Sequence, residues 1–278
     1  MRRSRTLLLG VTLSFAQLLG CSSDAQPPPV CNAPGYHVDS DPITIDRVEA
    51  TLHDPSGAAA ASLPVQVCGI NQCFNGTTNA AGKTSVTPGS ALERPAFKYG
   101  DGFEFAELAI LLGSEASQDL GQLVALPLPP FADGAPFPKS GAVSNGDLTL
   151  LVDSATRVAH DVLTYGDESQ LVFRSALIPL DQSPQAVAPS FGFELAYAVA
   201  PLGTTFCPPA HLSLANTLGW APKTTLEVFV QGLDVAEKWA PYASWVKVAE
   251  ASVSSDGARI ETTSGGIPIL SSIALRRK

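Results

Sequence analysis

Apolar and polar residues alternate with a period of two through much of this chain. Val48, Ala50 and Leu52 form one such run, and Leu148, Leu150 and Val152 another. Phe191, Phe193, Leu195, Tyr197 and Val199 form a third, and Leu226, Val228 and Val230 a fourth. Successive side chains of a strand point to opposite faces, so these runs predict half-buried antiparallel strands with one apolar side. No stretch sustains an apolar repeat of helical period over three turns, and Gly and Pro, 23 of each, interrupt the pattern throughout. The fold class expected is therefore all-β.

The breaks between strands have readable chemistry. ITIDRVEATLHD ends in Asp54-Pro55-Ser56-Gly57, with Asp, Pro and Gly where a type I turn favours them. A second strand, PVQVC, runs to Cys68, and a third, CFNGTTN, leaves Cys73. Asn79-Ala80-Ala81-Gly82-Lys83 then predicts a turn joining CFNGTT to KTSVT as a hairpin, with Gly82 free to take positive φ.

The amino end follows a different rule. Arg2, Arg3 and Arg5 precede an apolar run of about fifteen residues, TLLLGVTLSFAQLLG, the layout of a secretory signal peptide. A spanning helix needs ~20 apolar residues to cross the hydrocarbon, so a permanent membrane span is not expected. Leu18-Leu19-Gly20-Cys21, directly behind that run, resembles the bacterial lipobox. The resemblance implies cleavage of residues 1–20, lipid attachment at Cys21 and stable anchoring by several acyl chains. Ser22 in the next position implies the outer membrane. Residues 21–42, centred on QPPPV, are small, polar and Pro-rich, and read as an extended tether.

About 258 residues remain after cleavage, enough for two folded modules. LPLPP and FADGAPFPKSG predict a break between them, giving a first module over 43–130, a linker over 131–141 and a second module over 142–278. Three of the 17 basic residues leave with the signal peptide, so 14 face 26 acidic residues and the net charge is −12. That balance opposes nucleic acid and anionic lipid surfaces, so the acyl chains and not the protein face are expected to hold the membrane. Arg276-Arg277-Lys278 reads as a solvated tail.

Cys31, Cys68, Cys73 and Cys207 make an even set in an exported chain, which favours disulfides. Three pairings are open. The turn-rich Gly69-Ile70-Asn71-Gln72 between Cys68 and Cys73 favours that pair as a hairpin cross-link, leaving Cys31 with Cys207. Neither a CxxC nor a second Cys/His pair at ligand spacing accompanies them, so no metal is expected.

Residues 43–128 resemble the carboxypeptidase regulatory-like family, a transthyretin-like β-sandwich. The resemblance lies in Val48-x-Ala50-x-Leu52, in Leu63-Pro64-Val65-x-Val67 and above all in Thr77-Thr78-Asn79-Ala80-Ala81-Gly82-Lys83. It implies a non-catalytic accessory module. Residues 196–216, with Pro201-Leu202-Gly203 and Phe206-Cys207-Pro208-Pro209-Ala210, resemble the β-sandwich interaction domain of ankyrins and netrin receptors, and SSDGARIETTSGGI suits its bacterial relatives. Some members of that family cleave themselves at His-Phe-Ser, a motif this chain lacks.

Motifs that would carry chemistry fail on spacing. NGTTNAAGKTS mimics a phosphate-binding loop, but five residues and not four separate Gly76 from Gly82, and Ser-Val-Thr-Pro88-Gly89 cannot open a helix. No nucleotide site is expected. Ser244-Trp245-Val246-Lys247 has the S-x-x-K spacing of serine enzymes, yet Val246 and Val248 predict a strand that sends Ser244 and Lys247 to opposite faces. His37, His53, His160 and His211 are scattered, and no cofactor or catalytic residue is expected. Trp220, Trp239, Tyr242 and Trp245 crowd into 26 positions. They either close the end of a sandwich or stack on sugars. The expectation is a non-enzymatic, lipid-anchored interaction module with an unidentified protein partner, glycan binding through these rings being the alternative.

Overall fold

The structure is a computed structural model that describes residues 31–36, 40–161, 164–183, 185–187, 189–235 and 238–278. The signal run, Cys21, the tether up to residue 30 and His37 lie outside the described residues. The fold is all-β, with three short 3-10 turns and no α-helix among the described residues.

Nine strands make the first half: β1 (Ile43–Ile45), β2 (Arg47–His53), β3 (Pro64–Cys68), β4 (Cys73–Thr77), β5 (Lys83–Val86), β6 (Ser90–Leu92), β7 (Ala96–Tyr99), β8 (Leu108–Leu111) and β9 (Ser117–Val124). β5-β2-β9 form one sheet, with β2 and β9 parallel, β4-β3-β7-β8 form a second, and β1 pairs with β6. Val48, Ala50 and Leu52 of β2 and Val86 of β5 share one buried cluster with Val65, Val67, Phe97 and Leu108 of the facing sheet. Two sheets closing on one apolar layer are a sandwich.

The turn at 79–82 is present, but it does not make a hairpin. Asn79 Oδ1 accepts from the amides of Ala81 (2.9 Å) and Lys83 (3.1 Å), and Gly82 sits at φ +72°. β4 and β5 on either side of it belong to different sheets, so the chain crosses the sandwich there. The reason is burial: Thr84 and Val86 face the core only if β5 pairs with β2, as it does.

Twelve strands make the second half: β10 (Ala135–Pro136), β11 (Gly141–Asn145), β12 (Leu148–Val152), β13 (Arg157–Ala159), β14 (Val172–Leu177), β15 (Leu195–Ala200), β16 (Thr205–Ala215), β17 (Thr225–Gln231), β18 (Trp245–Val253), β19 (Arg259–Gly265), β20 (Ile267–Ile269) and β21 (Ile273–Arg277). They form a single sheet in the order β10-β14-β15-β21-β17-β18-β19-β16-β12-β11, with β13 and β20 also on β16. Its ends meet. Asn145 Oδ1 of β11 accepts from the amide of Ser175 in β14 at 2.8 Å, and Ser175 Oγ donates to the Asn145 carbonyl at 2.7 Å. The layers of this half are thus one sheet folded into a near-barrel, filled by residues such as Leu148, Leu150, Phe173, Leu212, Val228 and Leu275.

Three expectations are corrected here. Residues 131–141 are not a free linker: β10 pairs with β14, and the ring of Phe137 lies 5.9 Å from Phe173 and 6.0 Å from Phe206. Two aromatic rings in that Pro/Gly stretch outweigh its turn chemistry, and proline is tolerated on a two-residue edge strand. The alternating run from Phe191 starts its strand only at Leu195, since Pro189 and Gly192 (φ +65°) hold the preceding turn. The basic carboxy end is no solvated tail. Arg276 pairs with Glu227 at 2.8 Å, Arg277 with Glu194 at 2.7 Å and Lys278 with Glu250 at 2.6 Å, within and beside a strand that sits between β15 and β17. Lys247 and Lys278 together hold the Glu250 carboxyl down at about 2.

Both disulfides form. Cys68–Cys73 closes the β3–β4 hairpin across a Cα separation of 4.0 Å, and Cys31–Cys207 joins the segment before β1 to β16 at 5.6 Å.

Candidate functional site

The most constructed region is the junction of the two halves, and β15 shows why it exists. Every residue of LAYAVA is buried. Leu195, Tyr197 and Val199 fill the near-barrel, while Ala196, Ala198 and Ala200 join the cluster continuous with the first half's core, alongside Ile178, Ala186 and Val187. A strand with large residues on one side and alanines on the other suits a close second layer.

Polar groups cross the junction at named points. Arg174 of β14 is 1% exposed and donates to the carbonyls of Phe103, Pro129 and Gly102, its guanidinium 3.8 Å from the centre of the Phe131 ring. Burial lowers its pKa, although no carboxylate bonds it among the described residues. Such a buried cation persists only because carbonyl dipoles and a ring face replace its hydration. Arg94 Nε donates to the Tyr242 carbonyl at 2.7 Å, and Gln231 Nε2 to the Ala109 carbonyl at 3.0 Å.

Two cavities flank these contacts. One of about 540 Å³ is lined by Ile110 and Leu120 from the first half and by Phe191, Gln231, Ser244 and Trp245 from the second. The other, about 240 Å³, is acidic, lined by Asp101, Glu107, Asp161 and Asp234 with Lys98. Burial raises the Glu107 pKa against the opposing pull of Lys98, whose Nζ lies 2.8 Å away. Asp101 Oδ1 accepts from the amides of Phe103, Glu104 and Phe105, so that carboxylate organises its own loop. Tyr165, on the same wall, is pushed up to about 12 by burial and accepts from the Leu202 amide at 2.8 Å. Among the described residues no group of three or more His, Cys, Asp and Glu is placed to hold a metal ion.

The four ring residues do not make a platform. Trp220, Tyr242 and Trp245 are buried, in three different apolar clusters, and the Trp245 ring stands 4.9 Å from Phe193. Trp239 alone is half-buried, lining a groove of about 210 Å³ with Pro34, Tyr36 and Pro209. Closeness in sequence does not bring the rings together, because Trp220 sits in the connection before β17, Trp239 and Tyr242 in the one before β18, and Trp245 starts β18, so the rings pack on different parts of the body.

Other sequence candidates fall apart in space. Ser244 lines the larger cavity while Lys247 Nζ pairs with Glu227 at 3.2 Å and Glu250 at 2.8 Å. His160 Nδ1 lies 3.0 Å from Thr204 Oγ1, and burial lowers its pKa; His211 stands 3.7 Å from Asp153. Beside the 79–82 turn an open polar groove sets Glu49 and Asp119 near Lys83, an unfavourable field for phosphate. The signal that sequence reasoning missed is the AYAVA face, which announces a docked neighbour. No protein-family model matches this chain, and no curated protein matches it in sequence.

Proposed function

We propose that this chain is a non-enzymatic lipoprotein of the outer membrane, cleaved before Cys21, lipidated there and held off the bilayer by residues 21–42 as an interaction module. The observation that carries the reading is the Cys31–Cys207 disulfide. Paired cysteines belong to an oxidising compartment, and this pair ties position 31, midway along that tether, to the longest strand among the described residues. The lipobox resemblance supplies the anchor. The two family resemblances, to a carboxypeptidase regulatory-like module and to an ankyrin and netrin-receptor type interaction domain, supply the non-catalytic role.

The test is metabolic labelling with palmitate in cells expressing the full chain. Label in the outer-membrane fraction, lost in Cys21→Ser, is expected; label that survives Cys21→Ser, or a protein that stays in the aqueous phase on detergent partitioning, overturns the anchor. Labelling of a serine by a broad hydrolase probe overturns the non-enzymatic reading. The glycan alternative narrows to Trp239 and Tyr36, whose rings line one groove. Polysaccharide binding that is lost in Trp239→Ala would favour it.

A further inference from the structure

The sheet edges differ in how they are guarded, and β4 is left open. Gly69 N–H donates to the Gln72 carbonyl at 2.8 Å and Thr78 N–H to the Leu63 carbonyl at 3.0 Å, one at each end of the β3–β4 ladder. Bonded pairs alternate along an antiparallel ladder, so Phe74 and Gly76 direct their main-chain groups to β3, and Cys73, Asn75 and Thr77 turn theirs away from the sheet. All three are exposed, and their N–H and C=O groups meet no partner among the described residues. The Cys68–Cys73 disulfide and a 2.8 Å bond from Gln66 Nε2 to Asn75 Oδ1 hold the strand in place. Other edges are blunted. β5 carries Lys83 and is followed by Pro88, and β9 holds Gly121 (φ +68°) at a register shift against β2. β10 contains Pro136, and β8 runs under the second half, where Ala109 is 1% exposed. β4 has no charge, no proline and no register shift. Residues 55–82, which include β3 and β4, hold no charged side chain, in a chain of formal net charge −9.

We propose that β4 pairs antiparallel with β4 of a second copy of this chain, about a two-fold axis through Asn75. A two-fold interface must complement itself. This edge does: Asn75 meets Asn75 of the second copy, Cys73 meets Thr77 and Thr77 meets Cys73, so every outward N–H finds a carbonyl. The sheet β4-β3-β7-β8 then continues into its copy. Phe74 stays packed on the sandwich core and Gly76 stays over Val65 and Val86, so the pairing leaves the interior as it is. Asn75 Oδ1 already accepts from Gln66, which leaves Nδ2 to reach across the axis. Charge selects the occupant. Two acidic chains repel over most of their surfaces, and an uncharged strip is where they approach with least repulsion. A cationic partner finds no carboxylate on β3 or β4 to hold it. The pairing uses only the folded body and is independent of the lipid anchor.

The test is sedimentation equilibrium of the full-length chain in density-matched detergent, which reads protein mass whether or not the chain is lipidated. A monomer–dimer equilibrium that shifts with concentration is expected. Asn75→Lys and Asn75→Asp each set like charges opposite one another on the axis, and each is expected to weaken the dimer about tenfold or more. Asn75 is exposed, so both variants should keep the circular dichroism of the unsubstituted chain. Mixed in equal amounts, they place Lys against Asp and are expected to recover the dimer. Ser85→Lys, on the exposed edge of β5, should leave the equilibrium unchanged. A chain that stays monomeric up to about 100 µM, a dimer that either Asn75 variant leaves intact, a mixture that remains monomeric, or a dimer weakened equally by Ser85→Lys overturns the proposal.

Discussion

At the scale of single residues, Arg174 and Glu107 each answer to the low dielectric of the junction. Replacing Arg174 with Met keeps the side-chain length and removes the donors to Phe103, Pro129 and Gly102. Leaving buried carbonyls without partners is expected to cost about 3 kcal/mol or more, read from the urea midpoint of the full chain. Arg174→Lys should recover part of this, because one ammonium cannot span the same three acceptors. For Glu107 the sign follows from burial raising its pKa above the ordinary 4.5. Between 4.5 and the raised folded value, the folded state keeps a proton that the unfolded chain has released. Folding should therefore weaken as pH rises through that window, and Glu107→Gln should flatten the dependence. Neither residue was legible beforehand: a lone Arg in VFRSAL and a Glu in a loop run carry no mark of burial, which depends on what the other half of the chain brings over them.

Elements were more legible than their partners. The runs at Val48, Leu148 and Leu226 became β2, β12 and β17 with the expected members buried, because period-two alternation is a local property that a half-buried strand must show. Pairing is not local, and the 79–82 turn illustrates the limit. Its chemistry was readable, yet it joins strands in opposite sheets. Gly82 also bears a tertiary constraint, since a Cβ there would lie 2.1 Å from the Leu52 carbonyl oxygen at φ +72°. Gly82→Ala is therefore expected to destabilise by about 2–3 kcal/mol, well beyond the cost of positive φ alone, whereas Gly57→Ala, at φ +88° with open space around it, should cost about 1 kcal/mol. Equal effects in chemical denaturation would mean that the close approach to β2 is not felt. The AYAVA strand carried more information than its alternation: buried on both faces, it pointed to a neighbour that proline-rich punctuation at 126–141 had appeared to hold at a distance.

At the scale of the whole molecule, the question is whether two halves unfold as one. Their apolar clusters are continuous through Ile178, Ala186, Ala196, Ala198 and Ala274, and Arg174, Arg94 and Gln231 each donate to a carbonyl across the boundary. Separating the halves would expose that apolar layer and strip the donors from buried carbonyls at once, so no cheap intermediate with one half folded is available. Calorimetry of the full chain should show one transition with equal calorimetric and van't Hoff enthalpies. The Cys31–Cys207 bond closes a loop of 176 positions that encloses the whole first half, and loop entropy assigns it about 5 kcal/mol against about 2 for the bond across five positions at Cys68–Cys73. Replacing Cys31 and Cys207 together by Ser should thus lower the midpoint of that single transition more than the corresponding change at Cys68 and Cys73. Independent halves would behave otherwise: two transitions would appear, and Arg174→Met would leave the midpoint of at least one of them in place.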